Sequence, residues 1–162
     1  GVYNRPIQSR VGRELDETLD WLRANGWLEE PAGFHETPPL GPVAVGAERT
    51  AGIDYEVMRF DSEFEPRAGA PGRERWLGYA NNRTAETRVV RSPGSRDWVI
   101  CIHGLAMGRT WFDMRAMGIG WLQRRGVNIA LPVLPLHGHR ANGIMSGAGF
   151  IAGDVIAQVS SS

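Results

Sequence analysis

Residues 98–102, Trp-Val-Ile-Cys-Ile, run directly into His103-Gly104, and no other stretch limits the possible fold as tightly. With no polar residue alternating among them, they suit a strand buried on both faces, as in a parallel sheet covered by helices. Gly104 lets the backbone turn sharply and leaves room for a group to approach its amides. Thr110 then offers an N-cap, with Asp113 three residues on as a weaker capping-box partner. Trp111, Met114, Met117, Trp121 and Leu122 recur at helical spacing, and Arg124-Arg125-Gly126 supplies cations for a last turn and a left-handed stop. The next apolar run starts at Val127, so residues 98–132 read as strand, helix, strand with a right-handed crossover.

Upstream, Val11, Leu15, Leu19 and Leu22 fall on one face of a helix that Gly26 would end. Its polar face is mainly acidic, which disfavours anionic lipid. Residues 31–52 contain four prolines and four glycines and read as a long irregular connector, with His35 solvated inside it. Tyr55, Val57 and Phe60 alternate with polar neighbours as a first strand that continues loosely to Phe64; residues 66–72 turn the chain. Residues 75–80 predict a short strand, Asn81-Asn82 a turn, and residues 84–91 a further strand ending at Ser92-Pro93-Gly94-Ser95. The expected fold is therefore α/β: a mixed sheet with an antiparallel start and then a parallel strand-helix-strand unit, preceded by an amphipathic helix. Residues 1–53 divide off as helix and connector, and residues 54–162 as the sheet-bearing domain.

Composition narrows the function classes. The 18 basic residues are all arginine and balance 18 acidic ones, so the formal charge is zero. Arginine alone suits bidentate phosphate contacts, but these are scattered among acids rather than clustered as a nucleic-acid site requires. Nucleic acid is accordingly not an expected partner. Cys101 is the single cysteine and lies in the apolar run, a core position more than a nucleophile's. No apolar run reaches the length of a membrane span and the start lacks the zones of a signal peptide, so the expectation is a cytoplasmic protein with no membrane partner.

In open sheets of this class, function sits beyond the carboxyl ends of the strands. Two loops lie there: His103-Gly104-Leu105-Ala106-Met107-Gly108 and Pro135-Leu136-His137-Gly138-His139-Arg140. Taken together, a His-Gly loop after one central strand and a Pro-x-His-Gly-x-Arg segment after the next resemble the front half of the alpha/beta-hydrolase family, over roughly residues 54–157. The resemblance implies a serine hydrolase, esterase-like, acting on a small-molecule acyl substrate. Its nucleophile would sit in Gly-x-Ser-x-Gly, a motif these residues lack, so the chain reads as an amino-terminal fragment without its triad and inactive alone. Ser146 has glycines after it but Ile144 two residues before and no buried strand leading in. What the resemblance leaves here is half of an oxyanion hole: the backbone N–H of Leu105, or alternatively of Ala106, with His103 and Gly104 shaping the loop. In the family's strand order the 98–103 strand lies beside the nucleophile's strand. Its absence would leave an open edge through which the fragment self-associates.

The remaining patterns carry less. His103 ends the oxyanion strand, whereas the family's base comes from near the carboxyl terminus, so its ring is expected to fix the loop. His137-x-His139 lacks the further ligands a metal site needs, and Arg140 is expected to pair with a carboxylate or support the loop. Residues 104–110 imitate a phosphate loop with the wrong glycine spacing and arginine for lysine. Residues 147–152 match an alanine-variant dinucleotide fingerprint that follows no strand. No cofactor and no metal is expected. A second reading from another class is a non-catalytic binding or interaction module on a degenerate hydrolase sheet.

Overall fold

The computed structural model describes residues 5–34, 36–143, 145–152 and 156. Five strands form one sheet: β1 (Ala44–Thr50), β2 (Ile53–Asp61), β3 (Thr84–Val90), β4 (Trp98–Ile100) and β5 (Asn128–Pro132). Their spatial order is β1-β2-β3-β5-β4; the first three pairings are antiparallel and β4 runs parallel to β5. The fold is thus mixed α/β with a partly parallel sheet, an antiparallel start and a strand-helix-strand unit, as the sequence predicts.

The core lies on one face of the sheet. Tyr55, Val57, Val90, Ile129 and Leu131 point to that face and meet Met114 and Ile119 from the crossover. The single helix expected there is broken into α3 (Thr110–Ala116) and α4 (Ile119–Arg124). Gly118 at φ +63° makes the break, and it changes which residues face inward. Met114 and Ile119 are buried, whereas Trp111 and Trp121, assigned by periodicity to the apolar face, are exposed. No side chain caps α3 at its N-cap; the Asp113 carboxylate instead accepts the Gly108 N–H, just ahead of the helix.

Three other expectations are corrected. The connector predicted through Gly52 contains β1, whose residues are exposed and therefore show no alternation to read. It pairs with β2 through a two-residue turn, Ala51-Gly52, both at positive φ, the geometry hairpins prefer. Residues 75–80, expected as a strand, belong to α2 (Arg73–Leu77) and the turn after it, because Gly72 at φ +84° starts a helix that buries Trp76 against Leu136 and Ala70. The amphipathic helix exists as α1 (Arg5–Ala24), and Gly26 ends it with the paired bonds of a Schellman motif, Trp27 N–H to Leu22 O and Gly26 N–H to Arg23 O. Its buried side only partly follows the leucine stripe: Val11 and Leu22 are half-buried and Trp21 packs against the cluster of Trp76 and Leu136. Thr18 is buried and Glu14 nearly so, Glu14 forming an ion pair with Arg75, while Leu15 and Leu19 are exposed. A charged anchor overrides the apolar stripe here.

The last correction concerns β4. It is not buried on both faces: Trp98, Ile100 and Ile102 are 48%, 67% and 65% exposed, while Val99 and Cys101 are half-buried and Cys101 packs against the core. Asn128 N–H donates to Asp97 O and Cys101 N–H to Ala130 O, so the odd-numbered residues bond to β5. Alternation then turns the N–H and C=O of Trp98 and Ile100 to the outer edge, where no strand pairs with β4 among the described residues. No helix among the described residues is long and apolar enough to cross a membrane.

An apolar strand with one free edge templates pairing with other chains unless a charge interrupts it. The 162-residue chain by itself is expected to self-associate, and Ile100→Lys to shift the population toward monomer. Light scattering after size exclusion checks this; a wild-type chain that is monomeric at micromolar concentration contradicts it.

Candidate functional site

The loops at the carboxyl ends of β4 and β5 lie against each other, because the two strands are parallel neighbours and both chains leave the sheet on the same side. Backbone meets backbone at Gly108 and Gly138. A Cβ on Gly138 would lie 2.3 Å from Gly108 O, and one on Gly108 would lie 2.8 Å from Gly138 N, so neither position admits a side chain. Ser146 ties the pair further: its hydroxyl donates to Met107 O and accepts Gly138 N–H at 2.8 Å. That hydroxyl is committed to two backbone groups and is 6% exposed, which suits a loop clip and not an activated nucleophile.

Each loop opens with a tight turn that places a non-glycine residue in the left-handed region. Met107 N–H donates to Gly104 O across Leu105 and Ala106, with Ala106 at φ +65°. His137 N–H donates to Leu134 O across Pro135 and Leu136, with Leu136 at φ +61°. Proline at the second position and positive φ at the third describe a type II turn, in which the third residue is ordinarily glycine. Such residues persist only where their surroundings fix them. For Leu136 they do: its N–H donates to Asn82 Oδ1 at 2.9 Å, its carbonyl accepts Gly147 N–H, and its side chain is fully buried.

His103 is 5% exposed and braces the first loop against the second. Its Nε2 accepts Leu134 N–H at 3.1 Å, which makes Nδ1 the protonated nitrogen, directed at Gly104 O at 3.1 Å. With its one lone pair engaged by the backbone, the ring fixes the loop and offers no basic nitrogen to a substrate. His137, 2% exposed, donates from Nδ1 to Pro135 O at 2.8 Å and packs against His103 and Phe150 at centroid distances of 4.8 and 5.3 Å. Burial holds its pKa below the ordinary value, the Pro135 hydrogen bond opposing only in part. His139, two residues on, is exposed, so the two imidazoles do not share an environment. No group of three or more His, Cys, Asp or Glu that could hold a metal occurs among the described residues.

Arg140 is 5% exposed and supports the loop; the carboxylate partner offered as an alternative is not found among the described residues. It donates to Val133 O at 2.9 Å and Asn82 O at 3.0 Å, and burial lowers its pKa to about 10, leaving it cationic at neutral pH. Cys101 is half-buried and its thiol is pushed up by burial, away from thiolate chemistry.

Leu105 and Ala106 are exposed, and neither backbone N–H donates to any described residue. Gly104 N–H, by contrast, is taken by the Met107 sulfur at 3.4 Å. A cleft of about 280 Å³ adjoins the loop, lined by Ala106, Arg109, Trp111, Phe112, Met145 and Ser146. His35 and residues 153–155 lie outside the described residues.

The sequence reading missed Arg88 and Asp113. Both are buried, and they form an ion pair at 3.2 Å beneath the first loop. The signal was present in β3, where Glu86 and Arg88 share the core-facing period with Val90: charges at alternate positions on an inward face.

No family model matches the chain. Among curated proteins it is similar to two uncharacterised proteins of Mycobacterium tuberculosis, from strains CDC 1551 and H37Rv, at 38% and 37% identity over 160 residues. Each alignment takes in 98% of this chain but 39% of the relative, so the chain spans about two fifths of their length.

Gly138→Ala combines a left-handed backbone, costing about 1–2 kcal/mol, with a clash on Gly108 O worth about 1–3 kcal/mol, and should destabilise the chain by their sum. Gly143→Ala, with open space around it and no positive φ, should stay within about 0.5 kcal/mol of wild type in urea titrations. The depressed His137 sets a pH dependence as well. Below its ordinary value of 6.5 the unfolded chain takes up a proton that the folded chain refuses, so stability falls as pH drops through that value. His137→Gln should flatten the decline in urea midpoint between pH 7.5 and 5.5.

Proposed function

We propose that these residues form the amino-terminal part of an α/β serine hydrolase that acts on ester or related acyl bonds of a small molecule. In this reading they hold an oxyanion donor and no nucleophile. The donor is the backbone N–H of Leu105, with Ala106 as the other candidate.

The observation that carries the reading is the pairing of a turn whose two central residues are exposed and whose amides meet no acceptor among the described residues with the position of that turn, at the carboxyl end of a strand that is the sheet's edge among those residues. When a serine attacks an acyl carbon the carbonyl oxygen gains negative charge, and a fixed N–H aimed at it stabilises the transition state by about 3–4 kcal/mol relative to its loss. A useful donor must already be immobile, since ordering it during the reaction would cost part of that gain. His103, Ser146 and the Gly108–Gly138 contact immobilise the loop on three sides. The open edge of β4 supports the reading from the other direction. The resemblance puts the nucleophile's strand next to β4, and the free N–H and C=O groups of Trp98 and Ile100 are what a further parallel strand would take up. The nucleophile, acid and base then belong to the further length seen in the M. tuberculosis relatives.

A fluorophosphonate probe tests this. The full-length relatives are expected to be labelled on a serine outside the aligned 160 residues and to hydrolyse a nitrophenyl ester, while the 162-residue chain does neither. Labelling of this chain alone, or inert full-length relatives, overturns the proposal.

A further inference from the structure

Beneath the candidate oxyanion loop a closed circuit of hydrogen bonds grips a single residue. Gly108 N–H donates to Asp113 Oδ1 at 3.0 Å. Asp113 Oδ2 accepts from Arg88 Nη1 at 3.2 Å, and Arg88 Nη2 donates back to Gly108 O at 3.1 Å. The third arm of the guanidinium, Nε, donates to Glu86 Oε1 at 3.1 Å. The Arg88 and Asp113 side chains are 5% and 1% exposed.

Gly108 is the residue at which this loop could most easily swing. It sits at φ +97° and has no Cβ, so its own torsions restrain it least. The circuit fixes the peptide on each side of its Cα, the N–H of one and the C=O of the other. Those peptides connect the Gly104–Met107 turn to the start of α3. Fixing them sets the angle at which the turn, with Ala106 held left-handed, leaves the core.

We infer that Asp113 and Arg88 are positioning residues that lock the Gly108 hinge and thereby aim the Leu105 and Ala106 amides; the catalytic part of this inference rests on the hydrolase reading above. Two features make this pair suited to the task. The carboxylate supplies two acceptor oxygens and the guanidinium a planar fork, so both bridge rigidly where a hydroxyl or an ammonium would pivot. The arginine also cancels the aspartate's charge. A bare carboxylate under this loop would repel a developing oxyanion, whereas a paired one gives rigidity without that repulsion. Glu86, shared between Arg88 and the half-exposed Arg59, completes the compensation.

The test uses full-length protein with Asp113→Asn, which keeps the size but loses the second acceptor and the charge. Arg88→Lys is the companion, keeping the charge but losing the fork. Both are assayed well below their thermal midpoints, with hydrogen exchange of the peptide covering residues 104–109 read alongside ester turnover. Locking predicts a kcat at least about tenfold lower with KM within about twofold, since a donor aimed at the transition state contributes little to ground-state binding. It also predicts faster exchange confined to residues 104–109. Turnover within twofold of wild type in both variants, or unchanged exchange of that peptide, overturns the inference. If wild-type protein hydrolyses nothing, the hydrolase reading falls, and the exchange measurement still decides whether this pair holds the loop. Should Asp113→Asn not fold, the comparison rests on Arg88→Lys.

Discussion

The contact between Gly108 and Gly138 constrains the rest of this structure. Two backbones can approach to the distance of a missing Cβ only if both strands deliver their loops on the same side of the sheet, which demands that β4 and β5 be parallel neighbours. That in turn demands the α3–α4 crossover between them, and β5 lies inside the sheet, between β3 and β4. The hydrogen bonds around the contact serve it one by one. Ser146 joins Met107 to Gly138, His103 joins the first loop to Leu134, and Asn82 reaches from the short turn before β3 to hold Leu136. Few apolar contacts are available where two glycines meet, so direction has to come from hydrogen bonds.

The charges follow the same logic. Half-exposed Glu48 and Arg59 and buried Glu86, Arg88 and Asp113 alternate in sign along a connected path from the exposed hairpin to the base of the first loop. A buried ion pair is often no better for stability than well-packed hydrophobic residues of similar volume, because desolvation offsets the attraction. Breaking one partner is costly, about 3–5 kcal/mol, so such a path holds its geometry even where it adds little net stability. Arg140 departs from the pattern. Its two Nη groups donate to carbonyls while its buried Nε meets no acceptor among the described residues, and burial lowers its pKa to about 10. Its part is mechanical, joining Val133 to the chain at Asn82.

The framework was legible in the sequence because its signals are local. Alternation in Tyr55 and Val57, the stop at Gly26, and the apolar runs around residues 98–102 and 127–131 need no knowledge of distant neighbours. The His103 ring, expected from the sequence to fix its loop, makes its hydrogen bonds to the Leu134 N–H and the Gly104 carbonyl. What could not be read depends on partners far along the chain. The leucine stripe of α1 gave way to Glu14 because Arg75, 61 residues later, supplies its counter-charge. Strand β1 carries no alternation because neither of its faces is covered, and its turn uses Ala51 at a positive φ where asparagine would have announced a hairpin. Asp113 was read as a helix-capping residue from its spacing to Thr110. Its actual partner Arg88 lies on a strand two elements earlier, and only the pairing of charges across the core reveals what either does.

The exposure of β4 bears on what kind of object this is. Parallel strands are ordinarily covered on both faces, since the crossovers that make them parallel also cover them. Here one face is covered, with Cys101 packed against the core and Val99 half-buried, while Trp98, under the Arg91 guanidinium, and Ile100 and Ile102 are exposed on the other, at an edge that pairs with no strand among the described residues. The five-residue apolar run is therefore more hydrophobic than its place among the described residues requires. Sequence and environment disagree at this strand, whereas they agree at β5, where Ile129 and Leu131 are buried as their chemistry suggests. A mismatch at this edge, in a chain that covers 39% of its relatives' length, fits the proposed fragment. The composition of β4 suits a neighbour on its outer side.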